Sequence, residues 1–254
     1  MDRIADTHAH LCEKVFDPDL AEVLERARAA GIHAIVSVGE DLADAEKNLK
    51  LAADHPMIHP AAGLYPTRLD LELAETVRAF IRGHRDELAA IGEVGLDYWK
   101  VQDESGREMQ REIFRRFIEL GKELGLPLNV HSRSSGRHAV ALLLEQSASR
   151  VQMHAFDGKP AAAMPAVEAG FFFSIPPSIV RSDQKQKLAK KLPLSCLLIE
   201  TDSPVLGPAP EGRNEPANAR LALRAVAELK GVAEPAVMEA VAENTRRLYG
   251  EAFS

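Results

Sequence analysis

"ADTHAH" (residues 5–10) sets an aspartate and two histidines at the end of a short apolar run, "RIADTHA" (3–9). Side chains alternate along a strand, so residues i and i+2 point the same way, and His8 and His10 can reach one ligand together. A lone histidine in a strand is ordinarily a hydrogen-bonded core residue. A pair at this spacing asks what else in the chain would join it.

Seven further apolar runs follow: "HAIVSVG" (33–39), "MIHPAAG" (57–63), "LAAIGEVGLD" (88–97), "LPLNVHS" (126–132), "VQMHAF" (151–156), "GFFFSIP" (170–176) and "CLLIETD" (196–202). Their apolar and β-branched content suits strands buried on both faces of a parallel sheet. Helical patterns separate them. Over 107–124, Met109, Ile113, Phe117, Leu120 and Leu124 recur at three- and four-residue spacing among charged residues. The stretch 19–30 reads as a helix with Asp17 as cap and Pro18 near its first turn, and two more helices are expected over 216–230 and 235–249, the last starting at Pro235. Eight strand–helix units in 254 residues predict a single-domain α/β protein, a (β/α)₈ TIM barrel, with a doubly wound open sheet as the competitor.

The barrel reading gives the unusual residues a common address. His8 and His10 end the first strand, Glu93 the fourth, His131 the fifth, His154 the sixth and Asp202 the eighth. Carboxyl ends of barrel strands share the face that carries the active site. An unpaired carboxylate in an apolar run, such as Glu93, is unusual in itself. Asp202 in "TDSP" has an alternative use as a helix cap. Taken together, four imidazoles and two carboxylates are too many for one tetrahedral site and suit two divalent cations bridged by one carboxylate, for which Glu93 is the natural candidate. Such a pair lowers the pKa of a water and polarises a phosphoryl or carbonyl oxygen, while Asp202 accepts a proton. His33, His55, His59, His84 and His138 fall outside the pattern and are expected to be structural or solvated.

Other chemistries lack their signatures. There is no G-x-S-x-G elbow, P-loop or G-x-G-x-x-G in the sequence. The net charge of −7 and a pI near 5.8 argue against nucleic-acid binding through bulk charge, yet leave room for a nucleic acid gripped locally by cations. Two cysteines imply no disulfide framework. The N-terminus carries no leader pattern and no apolar run approaches a membrane span, so a cytoplasmic protein without membrane association is expected, as a monomer.

The ordered set "DTHAHL" (6–11), "GEVGLDY" (92–98), "QREIF" (110–114), "VHSR" (130–133), "HAFDG" (154–158), "ETDSP" (200–204), "RNEP" (213–216) and "NTRRLY" (244–249) resembles the TatD family of metal-dependent hydrolases, in the wider amidohydrolase group, nearly end to end. The resemblance implies the barrel, one metal on His8, His10, Glu93 and Asp202, and a second on Glu93, His131 and His154. It also implies a deoxyribonuclease, chiefly exonucleolytic, that uses divalent metal (Zn, Mn or Mg). One departure stands out: the family's "G-x-H-P" reads "GLYP" (63–66) here, so Tyr65 replaces a histidine placed near the substrate. Tyrosine can hydrogen-bond a phosphate but cannot become a cation near neutral pH. Tyr65, Arg133 and Arg213 are the candidate substrate contacts, and Trp99 a candidate base-stacking residue. The basic stretch "KQKLAKK" (185–191) is read as a solvated helix face. The alternative function is hydrolysis of a small phosphoester, ester, lactone or amide on the same centre, and a third reading is a non-catalytic scaffold.

Overall fold

The computed structural model describes residues 4–253. Strands and helices alternate along the chain: β1 (Ile4–Ala9), α1 (Leu20–Ala29), β2 (Ile32–Ser37), α2 (Leu42–Asp54), β3 (Ile58–Ala62), α3 (Leu71–Gly83), β4 (Ala90–Gly95), α4 (Glu104–Leu124), β5 (Leu128–His131) and α5 (Gly136–Glu145). They continue with β6 (Val151–Met153), α6 (Pro160–Glu168), β7 (Phe172–Ile175), α7 (Asp183–Lys191), β8 (Leu197–Ile199), α8 (Ala219–Lys230) and α9 (Glu234–Tyr249). Each strand pairs in parallel with the next, in the order β1 to β8. A parallel bridge between Ala9 and Ser203, with His10 N–H on the Ser203 carbonyl at 2.7 Å and Asp202 N–H on the His8 carbonyl at 2.8 Å, brings the two ends of the sheet together. The result is a (β/α)₈ TIM barrel, with each expected apolar run contributing one strand.

Residue parity along the strands divides the core. Ile4, Ile35, Ile58, Ile91, Phe171, Phe173 and Leu197 pack outward with the helices. Their neighbours of opposite parity, Ala5, Ala34, Val36, Ala61, Ala90, Phe172 and Leu198, form a second cluster with Leu248, Tyr249 and Phe253. The small side chains on that inner set leave room for Tyr249 to enter from the end of α9, a contact that matters for the site. Gly95 (φ +145°) sits against β5, where a Cβ would lie 2.1 Å from the His131 carbonyl oxygen; only glycine permits this approach of the Glu93 strand to the His131 strand.

Helix boundaries differ from the sequence reading for local reasons. Asp19, not Asp17, precedes α1, because a 3-10 turn over Lys14–Phe16 intervenes and leaves Asp17 to pair with Lys47 at 2.5 Å. Helix α4 begins three residues earlier than its apolar stripe, since the Asp103 carboxylate caps Gly106 N–H at 2.8 Å. Pro216–Asn218 is a 3-10 turn ahead of α8, and α9 starts at Glu234 with Pro235 in its first turn. Cys12 and Cys196 are both buried thiols. Among the described residues no helix is long and apolar enough to cross a membrane.

Candidate metal centre

The six singled-out side chains converge at the carboxyl ends of the strands, all buried. His8 lies in β1 and His10 just beyond it, Glu93 in β4, His131 at the end of β5, His154 one residue past β6, and Asp202 past β8. Asp202 holds a left-handed backbone (φ +57°), a conformation that non-glycine residues adopt uncommonly.

The Glu93 carboxylate divides the group in two. Its Oε2 lies 3.4 Å from His10 Nε2 and 3.9 Å from His8 Nε2. Asp202 Oδ1 completes this side at 3.4 Å from each of the same nitrogens. Glu93 Oε1 faces the other way, 2.6 Å from His131 Nδ1 and 3.2 Å from His154 Nε2. His8 Nε2 and His10 Nε2 approach to 3.2 Å. Two imidazole lone pairs that close repel unless a cation or proton lies between them. Ligand atoms about 2.0–2.2 Å from a tetrahedral ion stand roughly 3.3–3.6 Å apart, the spacing that Glu93 Oε2 keeps from His10 and Asp202 Oδ1 keeps from His8 and His10. The donor set therefore fits divalent-metal binding: His8 with His10 and Glu93, Glu93 with His131 and His154, and His8 with His154 and Asp202 each gather ligand atoms close enough to share an ion.

The other ring nitrogens of His8, His131 and His154 are fixed by partners that reading the sequence did not identify. His8 Nδ1 lies 2.8 Å from Asn129 Oδ1; Asn129 donates through Nδ2 to the Thr7 carbonyl and to Tyr249 Oη, so its oxygen must accept from His8. His131 Nε2 meets Asp97 Oδ2 at 3.1 Å, while Asp97 Oδ1 accepts the N–H groups of Trp99 and Lys100. His154 Nδ1 meets Glu200 Oε2 at 3.3 Å. That oxygen also accepts the Ser174 hydroxyl at 2.5 Å, Ser174 accepts from Gln152 Nε2, and Gln152 Oε1 accepts from Tyr249 Oη at 2.5 Å. Tyr249, in the barrel interior, is thus the root of two directional chains that leave lone pairs on His8 Nε2 and His154 Nε2. Glu200 and Asp202 are two residues apart in one strand extension, a spacing that could have flagged Glu200; Asn129 carries no such signal.

Electrostatics bind the cluster together. Burial opposes charge on His10, but Asp202 and Glu93 outweigh it there, and its pKa rises to about 9. Against the same burial, carboxylates raise His131 and His154 as well. Burial would lift Glu93 and Asp202; the imidazoles instead hold both well below the usual carboxylate range. Without metal, protons supply the positive charge that the site is built around.

Asp6 is not part of the donor set. Buried, it accepts from His8 N–H, Thr201 N–H and the Thr201 hydroxyl, tying β1 to the segment after β8. A cavity of about 540 Å³ opens above the cluster, and Tyr65 and Arg133 line it. Tyr65 Oη reaches Asp97 Oδ2 at 3.5 Å, and burial, with Glu93 and Asp97 nearby, keeps the phenol protonated. Arg133 lies 3.7 Å over the ring of Trp99, which is half exposed. Arg213 does not line the cavity: it donates to Asp19, Glu215 and the Val15 carbonyl, and its guanidinium stacks on Phe16. Its two carboxylates make it a clamp between loops rather than a free anion receptor. Lys185, read above as part of a solvated face, lines the cavity and donates to the Ala155 carbonyl at 3.2 Å. It lies three and four residues before the buried Leu188 and Ala189, so it shares their helix face. The remaining histidines serve locally; His33, for instance, lies between the Ile4 and Phe253 carbonyls.

Comparison with known proteins agrees with this geometry. The family model described as TatD related DNase matches residues 5–250. A human protein named deoxyribonuclease TATDN3 is 44% identical over 261 residues, covering 97% of this chain and 94% of that protein. YabD of Bacillus subtilis, named an uncharacterised metal-dependent hydrolase, is 34% identical over 253 residues, covering 96% and 98%. Among solved structures, the TatD homologue YJJV of Escherichia coli superposes with a TM-score of 0.91 at 26% identity, covering 99% of this chain and 100% of that one. The barrel, the motifs gathered at its mouth and the match from residue 5 to 250 together make this chain a member of the TatD-related DNase family.

Proposed function

We propose that the protein is a divalent-metal-dependent phosphodiesterase that removes nucleotides from the 3′ end of DNA, its whole chain forming one catalytic barrel. The observation that carries this reading is the division of Glu93, one oxygen to His8 and His10 and the other to His131 and His154. His8, His10, Glu93 and Asp202 would hold one ion, and Glu93, His131 and His154 a second. Four imidazoles favour Zn²⁺ or Mn²⁺ over Mg²⁺. When bound, such ions supply charge stabilisation to the phosphoryl group and raise the acidity of a water. Asp202 accepts the proton of the attacking water from its place in the cavity wall. Tyr65, as a neutral donor, and Arg133, as a cation, orient the phosphoryl oxygens. The family membership and the DNase relative support DNA as the substrate class.

Hydrolysis of a small phosphoester is the second reading, favoured by a cavity volume typical of small-ligand sites and by tyrosine at position 65. Metal-reconstituted protein offered single-stranded DNA and a small phosphodiester separates the two. Release of mononucleotides supports the first; turnover of the small ester alone supports the second.

A further inference from the structure

Besides the cluster residues, the cavity is lined by five charged side chains without an ion-pair partner among the described residues, and their signs are unevenly distributed around it. Glu13 and Glu40 follow β1 and β2; Arg133 and Lys185 follow β5 and β7, across the ring. Among the described residues, no opposite charge lies within 4.0 Å of any of these or of Asp157. Arg213, by contrast, is fully engaged with carboxylates. Asp157 also lines the cavity on the cationic side, where it accepts the Ser134 N–H at 2.8 Å, so that side carries two cations and one carboxylate against the two carboxylates opposite. Half-exposed Trp99, stacked by Arg133 and approached by Lys100 at 4.8 Å, extends the cationic side outward with an aromatic surface. A polyanionic strand is attracted to that side and repelled from the other.

Resting on the nuclease reading, we propose that this charge asymmetry fixes substrate direction: Lys185 and Arg133 hold the scissile phosphoryl group and the strand that leads to it, and the uncharged 3′-hydroxyl terminus points at Glu13 and Glu40. In the cleavage, a water oxygen bonds to phosphorus as the P–O3′ bond breaks. The proton lost by water ends on the 3′ oxygen of the shortened strand, and a 5′-mononucleotide leaves. A terminal 3′-phosphate would bring a dianion against two carboxylates, so the acidic wall selects hydroxyl ends.

The test compares two single-stranded oligonucleotides of one sequence, ending in a 3′-hydroxyl or a 3′-phosphate, with the metal-loaded protein. The wild type is expected to favour the hydroxyl end by at least about 10-fold in kcat/KM. The Glu13→Gln/Glu40→Gln double variant is expected to compress this to within about 3-fold. Lys185→Met should raise KM for both ends alike and weaken competitive inhibition by inorganic phosphate, with Lys185→Arg restoring both. Melting temperature and metal content confirm that the variants remain folded and loaded. A wild type indifferent to the end group, or a double variant that discriminates as the wild type does, overturns the inference while leaving the nuclease reading intact. Failure of the wild type to cleave either oligonucleotide overturns both.

Discussion

Replacing Glu200 by glutamine probes the support of the centre without touching a proposed ligand. The Glu200 carboxylate is an acceptor on every side: Oε1 takes the Ala155 N–H at 2.9 Å, and Oε2 takes the Ser174 hydroxyl at 2.5 Å and His154 Nδ1 at 3.3 Å. An amide must place its NH₂ on one side or the other. Toward Ala155 it sets donor against donor in a buried place. Toward Ser174 it opposes a hydroxyl whose own oxygen already accepts from Gln152, and it invites His154 to move its proton to Nε2, the atom that must be bare to bind an ion. Either outcome costs about 1–3 kcal/mol. At about 1.4 kcal/mol per tenfold, Glu200→Gln should weaken metal binding roughly 10–100-fold, the usual cost of losing a partner behind a metal-binding histidine. Competition with a chromogenic chelator reads the affinity, and imidazole ¹⁵N shifts read the tautomer. Activity should return at saturating metal. An affinity within about twofold of wild type, with His154 still protonated at Nδ1, would refute the argument that Glu200 sets the tautomer.

Other outcomes follow from the same geometry. His131→Ala should lower kcat/KM by about 10³-fold or more with the far-ultraviolet circular dichroism unchanged; full activity in chelator would contradict the assignment. Tyr65→Phe should raise KM roughly 10-fold with a smaller change in kcat, the loss of one donor to a charged oxygen; unchanged KM would remove Tyr65 from substrate binding. Metal-free and metal-loaded protein should respond oppositely to pH. The His10 pKa is raised from 6.5 to about 9, so its stabilisation is complete below 6.5 and is lost as pH rises through about 9. Stripped protein should therefore melt at lower temperature as pH climbs over that interval, while loaded protein holds or gains because deprotonated ligands bind ions better. Parallel melting curves would refute the exchange of protons for metal.

The barrel and the six converging side chains were legible because both are written as local patterns. An apolar run ending in His, Glu or Asp identifies a strand and its functional end together, and barrel topology does the gathering. What was not legible depends on contacts across the barrel. Asn129 lies in the apolar run before His131, yet its side chain serves His8 in β1 and is held by Tyr249 from the last helix. Arg213 resembled a phosphate contact in "RNEP", but Asp19, nearly two hundred residues away in sequence, neutralises it. The lysine run averaged to a solvated face, and only its register against Leu188 and Ala189 separates Lys185 from the rest. Asp17 resembles a cap in the sequence because a three-residue 3-10 turn leaves little trace in hydrophobic periodicity.

The most direct test of the central claim is the time course of nucleotide release from single-stranded DNA with a free 3′ end. It should be followed for chelator-treated protein, the same protein reloaded with Zn²⁺ or Mn²⁺, and its Asp202→Asn variant. Release that needs the metal, accompanies about two ions per chain and is lost in the variant is the predicted result. Release undiminished by chelator or by Asp202→Asn, or none from protein holding two ions, would contradict the account.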